Sequence, residues 1–538
     1  MQVKDLLFIL FSIEFIFLNC MAQSDKKNNW IESSENISIQ RLDILNSDYR
    51  ETNISITPDG KHLYFMSDRG EQTWSTEFLM YKGKLRYDGD IWYSTGEKDN
   101  FRKPICLDNN VNTYSGEDEP IVSQDGQFVT FQSWKSDWGE TDGPYYYAEL
   151  SGKHFLDPIG LGDGITAFFL DEFNKYNGTY ATDGASLSPD GKIFLVCSGA
   201  EYDGKMDIYI SRKINGKWSY MKKAAISTTE DERSIFIAGD GKTIYFGSNG
   251  YKTSKGLDIY KTILHDDNTF DSPIKLAEPF NTSKDDYGFI TTASGNESYF
   301  VRDGDIYYAN TTNLNDKIKP KKTKIISGII KDEKGIPMEL YLTLKDAALD
   351  KIISSSKSNS QTGKFLFSIS NNVENFRIVD EKEGLLDTSF KILKKDNSNN
   401  FKMNIKIKAH KEYTHKKVKS NKLELTINYM NNDYTIDKQY EASLSNIANK
   451  LISNPEIKLQ IHSHASSPAT EKYNIYISNK RKEFMINYFV KRGIKINRII
   501  ARAYGESNLI NHCKNGIFCN DKYHKENRRT ELKLIYNK

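Results

Sequence analysis

Between residues 30 and 325 the chain keeps returning to one arrangement of apolar and polar positions. It runs Ile56-Thr57-Pro58-Asp59-Gly60-Lys61-His62-Leu63-Tyr64-Phe65-Met66-Ser67-Asp68 in the first copy. It recurs from Val122 through Asp125-Gly126 to Phe131, from Leu187 through Asp190-Gly191 to Val196, and from Ile237 through Asp240-Gly241 to Ser248. A degenerate fifth copy lies around Thr292 to Phe300. β-branched and aromatic residues in partial alternation flank each Asp-Gly, so each copy predicts two strands joined by a turn in which Gly takes a left-handed backbone. A further strand follows several copies, opening Asp90-Ile91-Trp92, Asp207-Ile208-Tyr209, Asp258-Ile259-Tyr260 and Asp305-Ile306-Tyr307. The turn aspartates Asp59, Asp125, Asp190 and Asp240 recur every 50 to 66 residues. One such unit cannot bury its own apolar face, and radial stacking of small sheets predicts a β-propeller. Five blades are expected, or six if the chain before Asn53 or the stretch from Leu156 to Gly178 holds another. Acidic segments precede blades at Glu117-Asp118-Glu119, Thr229-Glu230-Asp231-Glu232 and Lys284-Asp285-Asp286. They are read as solvated loops, with a basic protein partner as the alternative.

The pattern changes at residue 326. Ile326 to Pro337, Tyr341 to Asp346 and Thr362 to Ile369 read as strands separated by polar turns, which predicts a small β-sandwich over 326–405. The lysine-rich residues 406–424 read as a connector. From 425 the period alternates between two and 3.6. Leu423 to Tyr429 is a strand. A helix is expected from Asp437 to Ser453 on the stripe Leu444, Ile447, Leu451 and Ile452. Glu456 to His464 is a strand, and Asn474 to Arg492 is a helix burying Phe484, Met485, Tyr488 and Phe489. Gly493 stops that helix, because Gly accepts the left-handed cap. Ile494 to Ile500 leads on to Ala503, and a last strand spans 527–534. The whole is therefore multidomain: an all-β propeller, a small β-sandwich and a C-terminal α+β domain over 425–538.

At the N-terminus, the apolar run Leu6 to Leu18 follows Lys4 and precedes Cys20-Met21-Ala22. Small residues at these positions predict a secretory signal peptide over 1–22. Cys20 offers a lipoprotein alternative, against which Asn19 stands where a small residue is wanted. Glu14 argues against a permanent span. Export places the remaining cysteines in an oxidising compartment. Cys106 and Cys197 are singletons, whereas Cys513 and Cys519 can close a small loop, with a metal site shared with His512 and His524 as the alternative. Lysine and arginine number 74 against 72 acidic residues in 538, so no charge surplus argues for a nucleic-acid partner.

Three resemblances follow from these motifs. The Asp-Gly repeat resembles the WD40-like PD40 repeats of TolB-type propellers. The 326–405 region resembles the carboxypeptidase regulatory-like module, a non-catalytic spacer. The C-terminal domain resembles the OmpA family through Ser463-His464, Tyr473-Asn474, Ile477-Ser478, Arg481, Arg492-Gly493-Ile494, Arg498-Ile499, Tyr504-Gly505-Glu506 and Asn527-Arg528-Arg529. The order of parts resembles the PorE type of Bacteroidetes type IX secretion component, without its tetratricopeptide region. The OmpA resemblance implies binding to peptidoglycan through the diaminopimelate of its peptide stem. Arg481 would hold the ligand carboxylate with its guanidinium fork, or else pair with an acidic neighbour. Asn474 would bond the ligand or cap its helix. Ser466 stands where the family carries Asp, so the expected ammonium partner is missing. His464 is expected to be a structural hydrogen-bonding residue rather than a base. Neither an acid–base pair nor a nucleophile elbow accompanies these residues. The expectation is a non-enzymatic scaffold with no cofactor or metal. It would lie in the periplasm, peripheral to the outer membrane, with peptidoglycan and unidentified envelope proteins as partners and a secretion or gliding role. The alternative is wall attachment alone, or a degenerate peptidoglycan site.

Overall fold

Three of the four full Asp-Gly turns are built by the same side-chain bond, and in the fourth, where Ala238 stands, Thr243 bonds Asp240 instead. Thr57, Ser123 and Ser188 donate their hydroxyls to Asp59, Asp125 and Asp190 at 2.6–2.7 Å. Gly60, Gly126, Gly191 and Gly241 then sit at φ between 66° and 73°, where a side chain would be strained. The computed structural model describes residues 30–31, 37–69, 78–81, 84–87, 89–108, 110–113, 115–151, 154–200, 205–251, 256–370, 373, 375–380, 386–391, 400–407, 422–506, 508–511, 513 and 519–536. The expected signal peptide, Cys20, His512 and most of the basic connector lie outside the described residues. The chain divides into two compact units, 1–409 and 410–538.

In the first unit the turns join the first and second strands of four antiparallel sheets, and the degenerate copy does so in a fifth. Their first strands are Glu51–Ile56, Asp118–Val122, Ala181–Leu187, Glu232–Ile237 and Asp286–Thr291. Each is followed by two antiparallel partners, the last opening on the Asp-Ile-Tyr motif where it occurs. The first strands touch one another in order, and Asp286–Thr291 returns to Glu51–Ile56, so the five form a cycle. The N-terminal strand Ile39–Arg41 completes the fifth sheet by pairing with Asp305–Asn310. The stretch from Leu156 to Gly178 holds the helix Asp163–Lys175 instead of a further sheet. Its Ile165, Phe168 and Phe169 are buried among Trp138, Tyr145, Phe194 and Trp218, which explains an apolar run that has no strand alternation.

Every first strand carries a bulge at the same place, visible as a register shift against its partner. Asn53, Glu119, Gly184, Ser234 and Gly288 all have positive φ there, between 48° and 100°. The five together line one cavity of about 20 Å³. Polar groups cross this centre: Asn53 Nδ2 donates to Asp118 and Asp183 at 2.8 and 3.3 Å, and Arg233 pairs with Asp183 at 2.6 Å.

The acidic segments correct the sequence reading. Glu117, Glu232 and Asp286 are buried, not solvated. Each accepts from a backbone N–H and hydroxyl four residues earlier, on Thr113, Thr228 and Thr282. Glu51 does the same with Ser47, although no acidic run announces it. Ser67, Ser133 and Ser248 add a hydroxyl from the neighbouring strand to Glu51, Glu117 and Glu232. These carboxyls therefore pin the entry loop to its sheet and are not available to a partner. Burial pushes Glu117 up to about 8 and Glu232 to about 7. A carboxyl raised in the fold binds more protons there than in the unfolded chain. Its contribution is thus fully present at acid pH and is lost as pH rises through the folded value. Stability should fall from pH 5 to 8, by roughly 1 kcal/mol per pH unit for Glu117. Denaturant titrations at each pH should show that slope, and Glu117→Gln should flatten it.

Two further sheets follow in the same unit. Thr323–Asp332, which begins ahead of residue 326, pairs antiparallel with Lys364–Ser370 and parallel with Asn400–Ile407. Tyr341–Asp346 lies between Ile352–Lys357 and Asn375–Asp380, with Asp387–Lys391 beyond. This pair of sheets sits on the Asp-Gly turns. Lys357 N donates to Asp125 and Ser368 N to Gln124, at 2.6 and 2.8 Å. Lys357 Nζ lies 2.6 and 2.7 Å from Glu149 and Glu339.

The second unit is one four-stranded sheet with helices. Its order is Lys422–Asn428, Arg529–Tyr536, Ile457–Ser463, Ile499–Ala503, and the last pair is parallel. Glu441–Ser453 and Glu471–Val490 are its two long helices. Leu444, Ile447 and Leu451 enter the core with Met485, Phe489, Ile461 and Leu532, whereas Ile452 turns outward and is 54% exposed. Gly493 has φ 86° just past the second helix, as the stop required. The short helix Asp521–Asn527, capped by Asn520, was not legible in the pattern because its polar residues carry no apolar stripe. Cys513 and Cys519 form a disulfide, which leaves no thiolate there for a metal.

Candidate functional site

The 457–463 strand and the 471–490 helix meet at a pocket of about 390 Å³, lined by Ser466, Asn474 and Arg481 together with Asn431, Asn432, Tyr473 and Arg528. Three of the four expected site residues therefore converge. Thr470 caps the helix by accepting from Tyr473 N, so Asn474 is not the cap. Asn474 lies one turn in, and its Nδ2 donates to Ala469 O at 3.1 Å and to the Glu506 carboxylate.

Arg481 is 1% exposed. Its Nε donates to Asp433 O at 2.8 Å and its Nη1 to His464 O at 2.7 Å. The guanidinium carbon lies 4.5 Å from the centre of the Tyr429 ring. Among the described residues it has no salt bridge to a carboxylate, so the acidic-neighbour alternative is not what the fold uses. Two of its five N–H donors are spent, both on neutral carbonyls. Burial pulls its pKa down to about 10, which leaves it cationic at neutral pH. A buried cation bonded to two carbonyl dipoles and stacked on a ring face, with the Asp433 carboxylate attracting it only without a direct bond, keeps donors free for an anion in the adjoining space.

Ser466 is 6% exposed, and no hydrogen bond of its hydroxyl is found among the described residues. His464 departs from expectation. It does not line the pocket, and neither ring nitrogen has a hydrogen-bond partner. The ring stacks on Tyr504, with centroids 4.8 Å apart and planes 5° apart. Burial, then the charge of Arg529, holds it well below the usual histidine range, so it stays neutral. Its contribution is the backbone carbonyl that orients Arg481. Tyr429, Asp433 and Arg528 were missed as site residues. Asp433 acts through its main chain, which no side-chain pattern announces. Arg528 reaches the pocket while bonding Tyr429 O at 3.2 Å and Asp521 at 2.9 Å.

Residues 428–517, which hold most of this geometry, match the OmpA family. The second unit carries an OmpA family domain. Over 87 residues the chain is 29% identical to a peptidoglycan-associated lipoprotein of Buchnera aphidicola subsp. Baizongia pistaciae, covering 16% of this chain and 50% of that one. The chain thus spans about half the length of this curated relative. Among solved structures it is similar to the peptidoglycan-associated lipoprotein from Burkholderia pseudomallei, at 21% identity over 20% of this chain and 89% of that one, TM-score 0.19. It is also similar to a putative MotB-like protein from Desulfovibrio vulgaris, at 21% identity over 21% and 71%, TM-score 0.18. The OmpA domain accounts for Arg481, Asn474 and the 504–506 turn, and for none of the first unit.

Proposed function

We propose that this chain is a non-catalytic envelope scaffold whose OmpA domain holds peptidoglycan. The observation that carries this is Arg481, a fully buried guanidinium with free donors beside a pocket and no bonded carboxylate. It would take the free carboxylate of a diaminopimelate-containing stem, with Asn474 and Ser466 bonding the neighbouring polar atoms. His464 would position Arg481 through its carbonyl. The curated relative named a peptidoglycan-associated lipoprotein supports the same ligand, and with it a place in the periplasm beside the outer membrane is part of this reading. Among the described residues no helix is long and apolar enough to cross a membrane.

The five cyclic sheets are read as a five-bladed propeller of the PD40 kind over 30–325, and the two following sheets as a regulatory-like sandwich over 326–405. The matching bulges and the N-terminal strand in the fifth sheet support the first reading. Such a propeller would bind protein partners, and the order of parts supports a place in a type IX secretion or gliding assembly. Wall attachment alone is the competing role, and co-purification of secretion components with the full chain separates the two.

The anchor is tested by sedimenting the full-length protein with purified peptidoglycan. Hydrogen bonds to a charged group contribute about 1.5–3 kcal/mol, so Arg481→Ala should weaken binding by at least ~10-fold. Arg481→Lys keeps the charge without the fork and should also bind weakly. Equal binding by a folded Arg481→Ala protein would remove Arg481 from the site.

A further inference from the structure

A diamino-acid stem presents a carboxylate and an amine at its free end. The amine exists in two chemical states: a free ammonium, or an amide where it has been acylated by a second stem at a cross-link. The two differ by one full positive charge, and the pocket is built for only one of them. Its charged lining groups are both guanidinium ions, Arg481 and Arg528. The remaining polar lining side chains are neutral: Ser466, Tyr473, Asn474, Asn431 and Asn432. Among the described residues no carboxylate lines it. Three described acidic groups of this unit have bonded partners of their own. Glu506 accepts from Asn474 Nδ2, and Asp521 is paired with Arg528 outside the lining. Asp433 accepts from Thr435 N and Oγ1.

An ammonium entering this space would lose water, meet like charge and find only neutral acceptors among the described lining side chains. An acylated amine loses much less on entry. Its amide N–H needs one neutral acceptor and its carbonyl one donor. The Ser466 hydroxyl supplies either role; the residue is 6% exposed, and no hydrogen bond of its hydroxyl is found among the described residues. The carboxylate of the same residue keeps Arg481.

We propose that the pocket selects the acylated form: a stem whose diamino acid carries a free carboxylate and an amide-bonded side-chain nitrogen, as at a peptide cross-link. This rests on the peptidoglycan reading above and names which part of the polymer the site takes. The protein would then report or grip cross-linked wall in preference to unlinked stems.

Calorimetry of the full-length protein with three soluble probes tests it: a monomeric stem peptide with the amine free, the same peptide with the amine acetylated, and a cross-linked stem dimer. The acetylated monomer and the dimer should bind at least ~10-fold tighter than the free-amine monomer. Ser466→Asp, which restores a carboxylate at the pocket, should reverse the order. Equal or tighter binding of the free amine by the unaltered protein would overturn the selectivity while leaving the peptidoglycan reading intact. Binding of none of the three would overturn both.

Discussion

Gly184→Ala is expected to destabilise the five-sheet unit by about 2–5 kcal/mol, more than an alanine exchange at a turn glycine with open surroundings. Two costs combine. Gly184 has φ 100°, a backbone that L residues rarely adopt, at about 1–2 kcal/mol. A Cβ there would also lie 2.3 Å from Ser234 Cα and 2.6 Å from its nitrogen. Those atoms belong to the bulge of the next first strand, so relief requires moving a neighbouring backbone, and overpacking adds about 1–3 kcal/mol. Gly191→Ala separates the costs. Its φ is 66° and its surroundings hold nothing within 4 Å, so only the conformational part should appear. Chemical denaturation of both variants measures the difference. Equal losses would mean that the close approach of the inner strands does not govern this position.

Lys357→Met should loosen the seat of the two-sheet region by about 3 kcal/mol. The side chain is 1% exposed and lies between Glu149 and Glu339, with a third bond to Leu150 O at 3.1 Å. Removing one member of a buried ion group leaves the others uncompensated, at about 3–5 kcal/mol. The two carboxylates keep about a fifth of their surface, so the lower end applies. Methionine preserves the stem's packing, which confines the loss to charge. Thermal melts should show it, and limited proteolysis should cut earlier within 326–405. Adding Glu149→Gln should recover part of the loss, because one of the two stranded charges is then gone. A double variant as unstable as the single one would show that the charge stranded on Glu149 does not cause the loss.

The Asp-Gly repeats were legible because the turn is a local event. Asp59, its preceding Thr57 and Gly60 solve their geometry within four residues. The OmpA domain was legible for a different reason: its helices and strands each carry their own period. Misreadings share a cause as well. Glu117, Glu232 and Asp286 look like a solvated acidic face because sequence shows charge and not burial. Only the fold reveals that a Thr four residues back and a strand neighbour surround each of them. The 163–175 helix was hidden because Phe168 and Phe169 pack in a pocket made by residues up to about 50 positions away.

Sequence alone determined the repeated hairpins, the strands and two long helices of the C-terminal domain, and the residue types gathered at 464–481. Those depend on period, turn chemistry and backbone freedom, which act over a few residues. Tertiary structure alone decided that Arg481 is buried on carbonyls with no salt bridge among the described residues, that His464 serves through its main chain, and that no described carboxylate lines the pocket. These depend on groups far apart in the chain, such as Asp433, Arg481 and Arg528, whose burial and mutual distance no linear pattern records.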